Sequence, residues 1–454
     1  MPVRRIIPGL SKRTRALPAE NEIEPAYSVE TANWERAQTV NKAAWLGLVL
    51  LVGWPVHGAF ASSKLELALV NRKLHGQILD FTNNGCGKDR RIWSCSLQEP
   101  RDLYIYVPPC FDWNQRYPLV ILMHGFGTDE RMLLKIAPMI DEAISDGRLP
   151  PVIIAAPDGS LAGDPKVLLP GSLFVNSQAG DFEDYICQDV WDFMVQHFPI
   201  RPEREAHVLA GYDMGGFAAY SIAMRHRDGF GVAIGMMPLL NLRWTDKLGH
   251  YMAKFDPYDW GWRNQLNSRE LLACFYLGLG NVRVRNIVGP LWGEQDEEVL
   301  EEISYVNPIE LIDRTALRPG DLAMYVAYAG QDDYNIDAQV ESFLYMARYR
   351  GLPVGVGYAP NGKHDITTAM HLVPGIIKWL GPLLAPYSPK LNCCSVQPAA
   401  AGCPAGNCPA PCPSCSAPPT GPAPCPSCSA PPAGSPGGAS PPTRLPDLPT
   451  PAPK

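Results

Sequence analysis

The chain has 454 residues, of which 46% are hydrophobic and 19% charged, and a formal net charge of -7. That is ample material for a core and a mild charge for the length. No Lys/Arg stripe gathers on one stretch, so the electrostatic footprint of a nucleic-acid binder is missing. Thirteen cysteines divide unevenly: Cys86, Cys95, Cys110, Cys187 and Cys274 lie in the body, and eight crowd the last 62 residues.

Residues 1–42 are polar, mix Arg4, Arg5, Lys12, Arg13, Arg15 and Lys42 with glutamates, and show no period, the pattern of a disordered segment. Ala43 to Val56 is an uncharged run of 14 residues. It is short for a membrane span, which needs about 20 apolar residues, and fits the apolar core of an export signal. Ala59-Phe60-Ala61 meets the small-x-small rule for signal-peptidase cleavage. Basic residues lie mostly ahead of the run, as export of the downstream chain requires. Uncut, the same run serves as a membrane anchor. The expected location is therefore outside the cytoplasm: secreted, periplasmic, or tethered through residues 43–56.

Residues 62–97 read as a connector with a short helical start. Cys86 and Cys95 flank a short polar loop there, and either close a small disulfide in an exported body or stand as two free thiols. From 98 to 387 strands and helices alternate. Strands are expected at 102–107, 117–123, 152–156, 208–210, 231–235, 322–328 and 354–358. The continuous apolar runs among them suit a central sheet covered on both faces. Helical spacing marks 129–146, 182–197, 338–350 and 367–384. This alternation predicts an α/β fold, a mostly parallel sheet with helices on both faces. Residues 237–316 lack a period, carry Trp244, Trp260, Trp262 and Trp292, and read as an insertion over the active edge of the sheet. From 388 onward the composition collapses to Pro, Ala, Ser, Gly and Cys. Pro411-Cys-Pro-Ser-Cys-Ser-Ala-Pro-Pro419 recurs 13 residues later. Such a segment buries no core and reads as an extended tail or tether, not an ordered metal site, despite its two C-x-x-C pairs. Nothing in it names a partner.

The chemistry gathers around Gly211-Tyr-Asp-Met-Gly215, between a buried strand and an Ala-rich helix. This is the setting of a G-x-S-x-G nucleophile elbow, whose glycines permit a sharp reversal that lifts the central side chain into a cleft. Here the central residue is Asp213. An acid should follow a late strand, and Ala329-Gly-Gln-Asp-Asp-Tyr-Asn335 offers two; spacing favours Asp333 over Asp332. A histidine should precede the last helix, and His364 does. An oxyanion hole would draw on the backbone N–H groups of Met214 and Phe126. No motif calls for a cofactor or a metal, and the partner expected is a small-molecule substrate or ligand.

With Tyr104-Ile-Tyr-Val-Pro-Pro109, Arg116-Tyr-Pro-Leu-Val120, His124-Gly125, Pro157-Asp-Gly159, Gly211-x-x-Met-Gly-Gly216, Gly330-Gln-Asp-Asp333 and Gly362-Lys-His364, residues 98–385 resemble the esterase D and feruloyl-esterase-like branch of the α/β-hydrolases. The resemblance implies that fold and cofactor-free hydrolysis of carboxylic esters by a serine. In those enzymes serine occupies the place of Asp213.

Aspartate changes the chemistry. It has no proton to give at neutral pH, and its attack on an ester carbonyl would produce a mixed anhydride. A second carboxylate beside His364 favours imidazolium, which is no general base. One Asp213 oxygen can also occupy the oxyanion hole itself. Three readings result: an esterase-type hydrolase with weak or altered activity, a hydrolase that uses Asp213 covalently on alkyl carbon as dehalogenase and epoxide-hydrolase relatives do, or a non-catalytic ligand-binding protein.

Overall fold

The computed structural model describes residues 58–389 apart from 84–88, 162–170, 268, 276–279 and 294–295. The polar segment 1–42, the apolar run 43–56, Cys86 and the tail beyond 389 lie outside the described residues. Among those described, no helix is long and apolar enough to cross a membrane.

Eight strands form the main sheet: β1 (Gln77–Phe81), β2 (Leu103–Val107), β3 (Leu119–Met123), β4 (Ile153–Pro157), β5 (His207–Tyr212), β6 (Val232–Met236), β7 (Ala323–Ala329) and β8 (Val354–Ala359). Their order is β1-β2-β4-β3-β5-β6-β7-β8. The pairs from β4 through β8 are parallel, while β2 runs antiparallel to both β1 and β4. The helices are α1 (Gly58–Asn71), α2 (Met132–Ser145), α3 (Trp191–His197), α4 (Met214–Arg225), α5 (Val284–Trp292), α6 (Asp296–Val306), α7 (Pro308–Arg314), α8 (Ile336–Tyr349) and α9 (Ile366–Leu384).

Strand periodicity divides the core in two. On β3, Leu119, Ile121 and Met123 enter one apolar cluster with α4, α7 and α8, while Val120 and Leu122 enter the other with α2 and α9. Successive side chains alternate across the sheet, so a strand covered on both faces must be apolar throughout. All five β3 residues are buried. Each large side chain so buried contributes about 1.5–3 kcal/mol of transfer free energy.

Two differences from the sequence-based expectation concern the ends of elements. The stretch read as a connector begins with a helix, α1, as expected, but it also supplies β1, which pairs with β2 from Gln77↔Val107 to Phe81↔Leu103 and so belongs to the sheet. Its short, half-exposed pattern carries no strong apolar signal. The expected cleavage triplet, Ala59-Phe60-Ala61, falls in the first turn of α1. The helix expected over 182–197 is three consecutive pieces, with a π-helical segment at Tyr185–Val190 ahead of α3.

The insertion between β6 and β7 holds two small hairpins, Trp244–Thr245 with Gly261–Trp262 and Leu271–Phe275 with Gly280–Arg283, and then α5, α6 and α7. Cys95 is disulfide-bonded. Cys110 and Cys187 are free thiols.

Candidate active site

The centre of the sheet delivers the elbow. β5 lies between β3 and β6, and its last residue, Tyr212, leads straight into Asp213 and α4. Asp213 has φ 54 and ψ -115, a positive-φ conformation rare for a residue with a side chain. The surroundings impose it. The Asp213 N–H donates to the Met236 carbonyl at 2.8 Å and its own carbonyl accepts from Phe217 N–H at 3.0 Å. Gly211 and Gly215 are required by close approach: a Cβ on Gly211 would lie 2.2 Å from the Gly215 carbonyl, and one on Gly215 would lie 2.1 Å from the Met123 oxygen.

Asp213 is 8% exposed. Its Oδ2 accepts the Phe126 N–H at 2.9 Å, and the Met214 N–H also favours the charged carboxylate. The two N–H groups expected to form an oxyanion hole therefore both serve Asp213. Its Oδ1 lies 3.7 Å from His364 Nε2.

The loop carrying Phe126 is pinned from below by His124, which is 1% exposed. Its Nε2 accepts the Gly159 N–H at 2.8 Å, so its proton sits on Nδ1, which donates to the Gly125 carbonyl at 2.9 Å. Buried Arg101 backs this region, pairing with Asp158 at 3.2 Å and donating to the Ser160 carbonyl at 2.8 Å.

His364 sits just before α9. Asp365 caps that helix, accepting the Thr368 N–H at 2.7 Å, and so fixes the position of its neighbour. The loops after β7 and β8 are joined by Gln331 N–H to the Gly362 carbonyl at 3.0 Å and Gly330 N–H to the Ala359 carbonyl at 2.9 Å. Tyr212 and Tyr334 rings flank the imidazole at 5.5 and 4.8 Å.

The carboxylate against His364 is Asp332, not Asp333. Asp332 Oδ2 lies 2.7 Å from Nδ1, and the two side chains are 1% and 6% exposed. The preference for Asp333 is corrected by the turn: the Asp332 Oδ1 accepts the Tyr334 N–H at 2.8 Å, which aims Asp332 inward and leaves Asp333 exposed. Asp213, Asp332, His364, Phe126 and Met214 are thus brought together, and Asp333 is not. Sequence reasoning also passed over Tyr212 and Tyr334, whose aromatic character beside the elbow and the acid was the available signal.

Charge follows geometry. Burial alone would lower the His364 pKa, but the hydrogen bond to Asp332 and the negative charge of Asp213 outweigh it, and the imidazole titrates above its ordinary value. Burial pushes the Asp213 carboxyl upward against the opposing pull of His364 and the Phe126 N–H. His364 lies between two carboxyl groups, Asp332 on Nδ1 and Asp213 on the Nε2 side, and both favour its protonated form. Among the described residues no group of His, Cys, Asp and Glu is arranged to hold a metal ion.

Strand order, the strained apex at the end of β5 and a histidine ahead of the last helix together define an α/β-hydrolase. Residues 94–371 match the family model described as "Putative esterase". The chain belongs to this esterase family. It is 26% identical over 187 residues to the endo-1,4-beta-xylanase/feruloyl esterase of Xylanibacter ruminicola, covering 38% of this chain and 25% of that protein. The chain thus spans about a quarter of that relative's length. A ferulic acid esterase superposes with a TM-score of 0.49 at 14% identity, covering 68% of this chain and 99% of that one. An S-formylglutathione hydrolase from Agrobacterium tumefaciens gives 0.49 at 13% identity, covering 68% and 96%.

Proposed function

We propose that this chain is an exported esterase-family hydrolase whose cleft takes a small carboxylic ester, and in which Asp213 holds ester turnover far below that of a serine enzyme. The observation that carries the reading is the bond from Phe126 N–H to Asp213 Oδ2. A substrate carbonyl needs that donor as its oxygen becomes negative, and removing one such donor costs about 10²–10³ in rate. His364 compounds the loss, because the neighbouring acids favour its protonated form, and that form cannot take a proton from an attacking group. Export rests on the 43–56 run and its basic leader, and the Cys95 disulfide suits an oxidising compartment. Cys86 is the partner proposed for it.

A second reading rests on the other oxygen. With Oδ2 on the Phe126 N–H, Oδ1 is the oxygen that faces the His364 side. Attack on an sp³ carbon would form an Oδ1–carbon bond as the carbon–halogen or epoxide carbon–oxygen bond breaks, the electron pair leaving with halide or alkoxide. The resulting Asp213 ester is neutral and its carbonyl oxygen already lies on the Phe126 N–H. His364, relieved of one negative neighbour, can then deprotonate a water to hydrolyse it.

Purified protein offered short acyl esters, methyl ferulate, a haloalkane and an epoxide separates these readings. The first expects slow acyl-ester turnover and no covalent adduct. An adduct on Asp213, seen by intact mass and accumulating in His364→Ala, would transfer support to the second. Rapid acyl-ester turnover unchanged in Asp213→Ala would refute both.

A further inference from the structure

The turn that presents Asp332 is gripped from outside the sheet. Asn335 closes the turn in a left-handed conformation, φ 57, with its N–H donating to the Asp332 carbonyl at 3.2 Å. The Asn335 side chain is buried, and its Nδ2 donates to the Tyr251 carbonyl and, at 3.0 Å, to the Ala253 carbonyl. In return the Tyr251 hydroxyl donates to the Tyr334 carbonyl at 2.6 Å and accepts from Gln339 Nε2 at 3.0 Å. Tyr251 is itself anchored within the insertion. Trp244 Nε1 donates to its carbonyl at 2.9 Å, and the Arg263 guanidinium lies 5.8 Å over its ring.

These bonds reach the middle of a turn that is also held by the Gln331 N–H on the Gly362 carbonyl and the Tyr334 N–H on Asp332 Oδ1. Gln331 and Asp333 are exposed. The two adjacent aspartates point to different sides of the turn, Asp332 to His364 and Asp333 to solvent, so the backbone conformation of the turn decides which faces the imidazole. From the insertion, residues 251 and 253 bond to this turn at Tyr334 and Asn335, beside the local Tyr334 N–H bond to Asp332 Oδ1. We propose that Tyr251 and Asn335 form a clamp through which the insertion holds the Asp332 turn in register with His364, selecting Asp332 over Asp333 as the imidazole's partner. Both act through Asp332 and are positioning residues. Their loss lengthens or breaks the Asp332–His364 hydrogen bond without touching His364 directly.

The groups facing His364 are Asp332 and Tyr334 from the turn after β7, Tyr212 and Asp213 from the elbow, and Asp365 from the start of α9. The clamp alters only the first pair. NMR of full-length protein labelled with ¹⁵N-histidine, with His364 assigned through His364→Gln, reads the outcome. In Tyr251→Phe the ring stays and only the hydroxyl goes. The His364 titration midpoint should fall and the hydrogen-bonded Nδ1 proton should lose its downfield shift; Asp332→Asn should move the midpoint further in the same direction. Asn335→Gly keeps the left-handed backbone, removes the two side-chain bonds, and carries the same test should Tyr251→Phe fail to fold. A folded variant that melts lower yet keeps the wild-type His364 midpoint and Nδ1 proton overturns the clamp, because a merely structural role predicts that pattern. The proposal rests on Asp332 and His364 being the site pair. The readout needs no turnover, so failure of the ester assay and failure of the clamp stay distinguishable.

Discussion

Asp213→Ser is the substitution whose consequences the geometry fixes most fully. It removes a carboxylate 3.7 Å from His364 Nε2. Opposite unit charges at that separation attract by about 4 kcal/mol at an effective dielectric of about 20, and this attraction holds the proton on the imidazole. It also vacates the Phe126 N–H now taken by Oδ2 at 2.9 Å, a donor worth about 10²–10³ in rate when it serves an oxyanion. The elbow already holds residue 213 at φ 54, so serine inherits a strained apex that the fold maintains. The two gains overlap, and the smaller sets the floor. The kcat/KM for p-nitrophenyl acetate near neutral pH should rise by about 10²-fold or more over wild type. Equal rates for wild type, Asp213→Ser and Asp213→Ala would refute the reasoning, since they would place turnover at another residue.

Further outcomes rest on the same contacts. In the Asp213→Ser background, Asp332→Asn should lower kcat by a large factor, on the order of 10⁴ where such a carboxylate fixes the histidine tautomer, while Asp333→Asn should leave it unchanged; steady-state kinetics of the two double variants decide. Stability against pH has a defined sign. The folded Asp213 carboxyl titrates above its ordinary value because it is buried, so its contribution is fully present below the unfolded pKa and is lost as pH rises through the folded one. The melting temperature of Asp213→Ser relative to wild type should rise from acid toward neutrality. Gly215→Ala should destabilise the fold at or beyond the upper end of about 1–3 kcal/mol for overpacking, because its Cβ would meet the Met123 backbone at 2.1 Å; denaturant unfolding measures it.

The buried architecture was legible wherever apolar runs were continuous. The expected strands at 117–123 and 322–328 appear as Leu119–Met123 and Ala323–Ala329, and the expected helix at 367–384 as Ile366–Leu384. β1 was missed because Gln77–Phe81 sits at the sheet edge, half-exposed, with no run to announce it. The elbow could be read because Gly211 and Gly215 bracket residue 213 at a fixed local spacing between an apolar run and an Ala-rich helix. The choice between Asp332 and Asp333 could not. It depends on a left-handed Asn335 and on Tyr251, more than 80 residues upstream in a segment without periodicity. Side chains that act across the fold leave no spacing signal in the chain.

A fluorophosphonate probe tests most directly whether a carboxylate stands where the nucleophile belongs. Wild-type protein should remain unmodified by intact mass, and Asp213→Ser should gain one phosphonyl group mapped to residue 213. Labelling of the wild type at any serine would contradict the account.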